Sequence, residues 1–181
     1  MLIDLIAGAK PNFMKIAPII KAINDTESKE HIISFRLVHT GQHFDKNRSD
    51  SFFEELGLPQ PDINPGAVGG TQAEQTAKIM IGYEKWLMSA PSNLCLVVGD
   101  VTSTMACVIV AKKMNIKVAH VEEGIRSGDL SMSEEINRLV TDSITDYFFT
   151  TFEIANKNLR RSRIEEDKIY FVGNTMIYSL L

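Results

Sequence analysis

The sequence predicts an α/β domain of three layers, a mainly parallel sheet with helices on its faces. Two observations predict it. Short apolar runs alternate with longer segments of helical periodicity along the whole chain, the pattern left by a parallel sheet with crossover helices. Polar loops follow these runs, where an open parallel sheet binds its ligands.

The first strand is read at Leu2–Ile6, followed by Gly8 for a tight turn, Pro11 in a first helical turn, and a helix over Asn12–Asn24. A second strand at Ile32–Val38 precedes a helix over Lys46–Leu56, which Gly57 stops. The Pro- and Gly-rich LPQPDINPGAVGG reads as an ordered excursion between elements. A helix over Thr71–Ser89 leads to the fully apolar strand Leu94–Val98, and a helix over Ser103–Asn115 leads to a strand at Lys117–Val121. Ser133 before Glu134 and Glu135 reads as the start of a helix to Ser143, because a serine hydroxyl caps free backbone N–H groups and acids favour the first turn. A strand at Tyr147–Thr150, a helix over Phe152–Arg160 and a strand at Lys168–Val172 complete the alternation, with no internal repeat and no low-complexity segment.

The chain has 181 residues, 44% of them hydrophobic and 23% charged, which suits one domain with one well-buried core. A formal net charge of -4 and a pI near 5.6 give no bulk electrostatic reason to expect nucleic acid or an anionic membrane as partner. Any phosphate must be held locally. The opening MLIDLIAGAKPN lacks the basic n-region of a secretory signal, and no apolar stretch is long enough to span a bilayer. Cys95 and Cys107 both lie in apolar patterns and read as reduced core thiols, so a cytoplasmic address is expected.

Five polar loops converge on one rim of such a sheet: AGAKPNFMK, HTGQHFD, GDVTST, EEGIRSGD and GNT. The first has neither the GxGxxG dinucleotide fingerprint nor the GxxxxGK[ST] Walker pattern, which removes support for NAD and ATP. Lys10 and Lys15 either place cations beside the free N–H groups of a helix start, where an anion is stabilised, or are solvated lysines of a plain turn. In His39-Thr40-Gly41-Gln42-His43, side chains can donate to a sugar or phosphate, or the histidines pack. No second cluster of Cys, His or Asp at ligand spacing accompanies them, so no metal site is expected. Asp100, directly beyond a fully apolar strand, either handles a proton or serves the next helix, which Thr102–Thr104 can cap.

The stretch HVEEGIRSGDLSMSEEINR holds two acidic pairs. Alternation along the strand places His120 and Glu122 on one face, with Val121 and Glu123 on the other. A carboxylate at a partly desolvated strand end suits general acid or base work. Glu134 can be carried back to the same rim, Arg126 and Arg138 are candidate charge partners, and a solvated, salt-bridged surface is the alternative.

Taken in order, GAKPNFMKIAP, TGQH, INPG, VVGDVTST, HVEEGIRSGD, SEEINRLVTD and VGNTMIYSLL make the chain resemble the non-hydrolysing UDP-N-acetylglucosamine 2-epimerases over nearly its whole length. The resemblance implies a Rossmann-like domain, the N-terminal half of a GT-B-type architecture, with the nucleotide sugar between two domains. It further implies that residues 1–181 are the first domain, and that the second, with most of the UDP-binding residues and a histidine important in the reaction, has no counterpart here. Such a domain is expected to be inactive alone. The activity implied is reversible inversion at C2 of UDP-GlcNAc to UDP-ManNAc, by elimination of UDP to a 2-acetamidoglucal and re-addition, with no metal and no redox cofactor.

The same resemblance carries catalytic roles to Asp100, Glu122 and Glu134, and contacts with the substrate to Lys10, Lys15, Gln42, His43 and Arg138, leaving Glu123 and Glu135 as structural. The chain departs from the family pattern at Lys10, Asn12 and Ser133, where arginine, glutamate and proline are usual, and at Phe44 and Asp45 beside the residues that in some relatives hold a second, activating UDP-GlcNAc. Two other classes remain: a hydrolysing relative that releases ManNAc and UDP, and a non-catalytic module that binds nucleotide sugar or forms a homodimer through its helices.

Overall fold

Apolar runs bounded by turn residues become strands because both faces of each can be buried, and the order in which they pair is set by the helices that connect them. The computed structural model describes residues 1–26, 33–41, 53–64 and 69–174. Among these, six strands form one fully parallel sheet: β1 (Leu2–Ala7), β2 (Ser34–His39), β3 (Leu94–Val98), β4 (Lys117–Val121), β5 (Tyr147–Thr150) and β6 (Ile169–Phe171). Their order is β2-β1-β3-β4-β5-β6. The connecting helices are α1 (Lys10–Thr26), α2 (Gln72–Ser89), α3 (Thr102–Lys113), α4 (Ser133–Ile144) and α5 (Glu153–Arg161). The predicted α/β class and every predicted strand position are borne out within a few residues. The predicted helix over Lys46–Leu56 falls mostly outside the described residues, of which 53–55 are helical.

Alternate residues of the central strands feed two cores. Leu5, Leu37, Leu96, Val98 and Val121 face α1 and its Phe13, Ile16 and Ile20, together with Phe53 and Leu58. Ile6, Val38, Val97 and Val118 face the other way, onto Ile79, Tyr83 and Leu87 of α2 and Ala106, Cys107 and Val110 of α3. Asp4 of β1, fully buried, takes the Arg36 guanidinium at 2.6 Å and the Tyr83 hydroxyl at 3.0 Å, so its burial is compensated. Cys95 and Cys107 are free and buried, and burial pushes the Cys95 thiol up to about 12.

The direction in which strands are added across the sheet reverses between β1 and β3. From β1 the chain crosses one face through α1 to β2, while from β3 it crosses the other through α3 to β4. The strand ends of β1 and β3 therefore border a crevice at the topological switch point. Asn12 closes its base. Its Oδ1 accepts from Gly8 N at 3.0 Å and Ala9 N at 2.8 Å, and its Nδ2 donates to Val98 O at 3.1 Å, tying the β1–α1 turn to the end of β3.

Helix starts differ from the sequence expectation in two places. Ser133 does not cap α4: the N-cap is Met132, and the Ser133 hydroxyl, already inside the first turn, donates to Glu134 at 3.1 Å. Nor do Thr102–Thr104 cap α3, whose N-cap is Val101. The Thr104 hydroxyl turns back to Val98 O at 3.3 Å, and Ser103 Oγ accepts from Thr40, so these hydroxyls fasten α3 to the strand ends. By contrast Thr71 forms a full capping box with Glu74 at the start of α2.

Candidate functional site

Glu122 stands where the strand pattern breaks. It follows Val121, the last residue of β4, and adopts φ 64°, a left-handed conformation that costs a non-glycine residue roughly 1–2 kcal/mol. Its N–H donates to Phe149 O at 2.8 Å, which holds the turn against β5. The expected alternation fails here. His120 and Glu122 do not share a setting, because the turn sends the Glu122 carboxylate to Lys15 of α1, while Glu123 swings under the sheet end to His120 at 2.8 Å. Gly124 follows at φ 86°, and a Cβ there would lie 2.6 Å from Ala155 O, so the turn continues only with glycine.

Asp100 leaves the neighbouring strand beside Glu122, since Val98 of β3 is in register with Val121 of β4. Gly99 between them, at φ 68°, brings the backbone close to Lys15: a Cβ at Gly99 would sit 3.7 Å from its ammonium and 3.3 Å from Asn12 Nδ2. The Asp100 carboxylate binds Arg138 of α4, and its backbone carbonyl accepts from Asn137 Nδ2 at 2.8 Å. Arg138 is oriented in turn by Glu135 at 2.8 Å. Glu135 also accepts from Ser127 N at 3.0 Å and Gly128 N at 3.2 Å; burial alone would raise its proton affinity, but these donors and Arg138 bring its pKa down to about 2. Adjacent strand ends thus present two acid–cation pairs, Glu122 with Lys15 and Asp100 with Arg138.

Beneath them lies a second charge cluster. His120 and Glu123 are almost wholly buried, and His120 sits between Glu123 on its Nε2 and Asp142 of α4 on its Nδ1, 3.3 Å away. Arg126 closes the ring by binding both carboxylates, Glu123 at 3.1 Å. Burial by itself would lower the imidazole pKa, but the two carboxylates reverse this and raise it to about 10. Burial would raise Glu123, yet His120 brings it down to about 2, while burial carries Asp142 up to about 6. Among the described residues this is the one His/Asp/Glu group close enough to hold a metal ion. Its carboxylates already balance an imidazolium and a guanidinium, so the donor set is closed to a further cation.

The remaining predicted residues are less gathered. Lys10 opens α1 and is exposed. Glu134 is exposed in the first turn of α4, its carboxylate held by Ser133. Gln42 and His43 lie outside the described residues. His39 packs: it is buried, its ring meets Phe13 edge-on at 5.0 Å, its Nδ1 lies 3.2 Å from Ala7 O, and burial lowers its pKa. Arg126 pairs with Glu123 and Asp142, and Arg138 with Asp100 and Glu135, so neither binds Glu122 or Glu134 among the ion pairs formed. On the far side of the β1 loop a cavity of about 250 Å³ is lined by Gly8, Thr40, Gly41, Gln75, Thr102 and Ser103, among others. Sequence reasoning missed Asn12, Asn137 and Asp142 as organisers, although Asn137 and Asp142 both lie within the quoted motif SEEINRLVTD.

Known proteins match this arrangement. The family model for UDP-N-acetylglucosamine 2-epimerase matches residues 25–181. The UDP-N-acetylglucosamine 2-epimerase of Methanocaldococcus jannaschii is 45% identical over 181 residues, covering 100% of this chain and 48% of the relative. A Pseudomonas aeruginosa UDP-2,3-diacetamido-2,3-dideoxy-D-glucuronate 2-epimerase is 39% identical over 183 residues, covering 100% of this chain and 51% of the relative. The crystal structure of the M. jannaschii enzyme in complex with UDP-GlcNAc and UDP superposes with a TM-score of 0.90 at 44% identity, over 99% of this chain and 48% of that one. The chain thus spans about half the length of the curated relatives it matches. On the family-model match and the relatives' identity over the whole chain, the chain belongs to the UDP-N-acetylglucosamine 2-epimerase family.

Proposed function

We propose that these residues form the acid-bearing, N-terminal wall of the cleft of a UDP-N-acetylglucosamine 2-epimerase, which interconverts UDP-GlcNAc and UDP-ManNAc. The observation that carries the reading is the pair of acid–cation contacts on adjacent strand ends, Glu122–Lys15 and Asp100–Arg138. Elimination of UDP across C1 and C2 takes a proton from C2 while the anomeric C–O bond breaks, and re-addition returns it from the opposite side. That chemistry uses carboxylates at the sugar and cations at the diphosphate, and both are present, mostly desolvated, at one rim.

Asp100, Glu122 and Glu134 are assigned here as the proton-handling acids. Lys10, Lys15 and Arg138 are the substrate-facing cations, with Gln42 and His43 contributing from the loop after β2. The left-handed backbone at Glu122 supports its role, because strain of this kind is kept where a side chain must be aimed. Turnover belongs to a protein that also supplies the other half of the cleft, and the relatives are about twice as long as this chain; without that half the site is open to water and loses positioning. Among the described residues no helix is long and apolar enough to cross a membrane, and two buried free thiols fit a reducing, cytoplasmic setting.

The test is proton NMR at C2 of UDP-GlcNAc in deuterated buffer, with this chain alone and mixed with the C-terminal half of the M. jannaschii relative. Deuterium at C2 with UDP-ManNAc appearing in the mixture supports the reading. Free UDP accumulating with ManNAc identifies a hydrolysing enzyme, and nucleotide-sugar binding without exchange identifies a non-catalytic module. Turnover of UDP-2,3-diacetamido-2,3-dideoxy-D-glucuronate in place of UDP-GlcNAc would align the chain with its P. aeruginosa relative.

A further inference from the structure

Asp100 is supported at its carboxylate and at its backbone, and one of the supports comes from below. Its carboxylate is held by Arg138 and its carbonyl by Asn137. The preceding carbonyl, Gly99 O, accepts from His120 Nε2 at 2.9 Å. Gly99 itself is in the left-handed region, so its peptide planes can turn with little steric resistance, and this contact limits that freedom from inside the fold.

We propose that His120, locked between Glu123 and Asp142, is a positioning residue that fixes the Gly99–Asp100 turn and so aims the Asp100 carboxylate; the proposal rests on the catalytic reading of Asp100 given above. His120 is fully buried and does not reach the rim, so it takes no direct part in proton transfer to a sugar. Its two nitrogens serve opposite sides. Nε2 lies within 2.8 Å of Glu123 and 2.9 Å of Gly99 O, and Nδ1 lies 3.3 Å from Asp142 Oδ1. Nε2 donates to Gly99 O, while Nδ1 and Asp142 Oδ1 face each other at ion-pair distance without a hydrogen bond, so the hold from α4 is one of charge. The charged groups around the ring are Glu123 and Arg126 of the loop after β4 and Asp142 of α4, while β3 presents only the Gly99 carbonyl. The same helix α4 carries Asn137, Arg138 and Asp142, so the cluster also holds the helix that carries the other two supports of Asp100.

The test uses the full 181-residue chain and three samples: wild type, His120→Leu and His120→Gln. Asp100 carboxyl 13C and Asn137 side-chain amide 15N signals report placement, and C2 deuterium exchange in the two-part mixture reports chemistry. The expected result is that His120→Leu shifts both signals and lowers kcat at least tenfold with KM nearly unchanged, and that His120→Gln, which keeps an N–H donor, restores part of each. In the wild-type chain the Asp100 and Asn137 signals are expected to move together with the His120 ring signals when pH is raised, a readout that needs no substitution and covers the case in which His120→Leu does not fold. Unmoved Asp100 and Asn137 signals, in the folded variant or in the wild-type titration, would overturn the inference. Signals that move with no loss of exchange would remove Asp100 from the proposed chemistry and leave the structural link standing.

Discussion

Glu122 and Glu123 are consecutive carboxylates at the end of one strand, and they live in different molecules as far as electrostatics is concerned. Glu123 is 2% exposed and bound to a fully buried histidine and a half-buried arginine. Glu122 reaches the rim, where Lys15 is its partner and solvent has access. The same division separates Glu135, which accepts two backbone N–H groups, from exposed Glu134 beside it. In both pairs the buried member is tied into the fold and its neighbour lies nearer the rim, half-buried at Glu122 and exposed at Glu134. A fully buried carboxylate with charged partners is expensive to disturb, whereas one in contact with solvent is cheaper to replace.

Removing the enclosed member is the largest way to break the comparison. Glu123→Ala leaves His120 and Arg126 sharing Asp142 and is expected to destabilise the chain by about 3–5 kcal/mol, read as a lower urea midpoint. A loss below about 1 kcal/mol would mean that the two carboxylates are not distinct in kind.

A pH titration sharpens it further. The His120 pKa is raised from 6.5 to about 10 in the fold, so its stabilising contribution is full below about 6.5 and lost as pH rises through about 10. Glu123, lowered from 4.5 to about 2, contributes above about 4.5 and loses its contribution as pH falls through about 2. Asp142, raised to about 6, has the opposite sign to Glu123: its contribution is full below its ordinary value and is lost as pH rises through about 6. Chemical denaturation from pH 7 to 10 should therefore show falling stability, and His120→Gln should flatten that limb.

A smaller effect is expected at the crevice floor. Asn12→Asp keeps the acceptor for Gly8 and Ala9 but removes the donor to Val98 O, at a cost of about 1–3 kcal/mol. The same midpoint for both chains would show that this tie is not under load.

At the rim the effect on stability shrinks and the effect on chemistry grows. Glu122→Gly loses the Lys15 pair but relieves the left-handed backbone, so the urea midpoint should stay within about 1 kcal/mol of the original or rise, while C2 exchange in the reconstituted mixture disappears. Glu134→Gln should leave the midpoint unchanged within error and abolish exchange as well. Exchange at a normal rate in either would withdraw that residue from the proposed reaction.

Much of this was legible in the residues. LCLVV and KVAHV read as strands because an apolar run of that length has both faces to bury, and the polar loops after them fall on one rim by topology alone. Glu122, Asp100 and Arg138 were singled out as candidates by their places after the strands and in the next helix, while their site roles came only from the family resemblance. The face of Glu122 was misread because strand alternation was carried one residue past the strand, into a positive-φ turn held by Phe149 O. The helix caps were misplaced because a hydroxyl near a helix start chose a nearer or a tertiary partner.

The sequence by itself determined the alternation of elements, the parallel sheet, the two-sided core and the family, since these depend on local periodicity and on motifs in order. The expectation that Glu123 and Glu135 are the structural members of the two pairs agrees with their burial, but only the tertiary structure decided which groups hold each carboxylate. That outcome depends on partners brought in from elsewhere: Lys15 from α1, and Asp142, Asn137 and Arg138 from α4. Burial and charge pairing are properties of the assembled sheet and helices, and no spacing along a single strand encodes them.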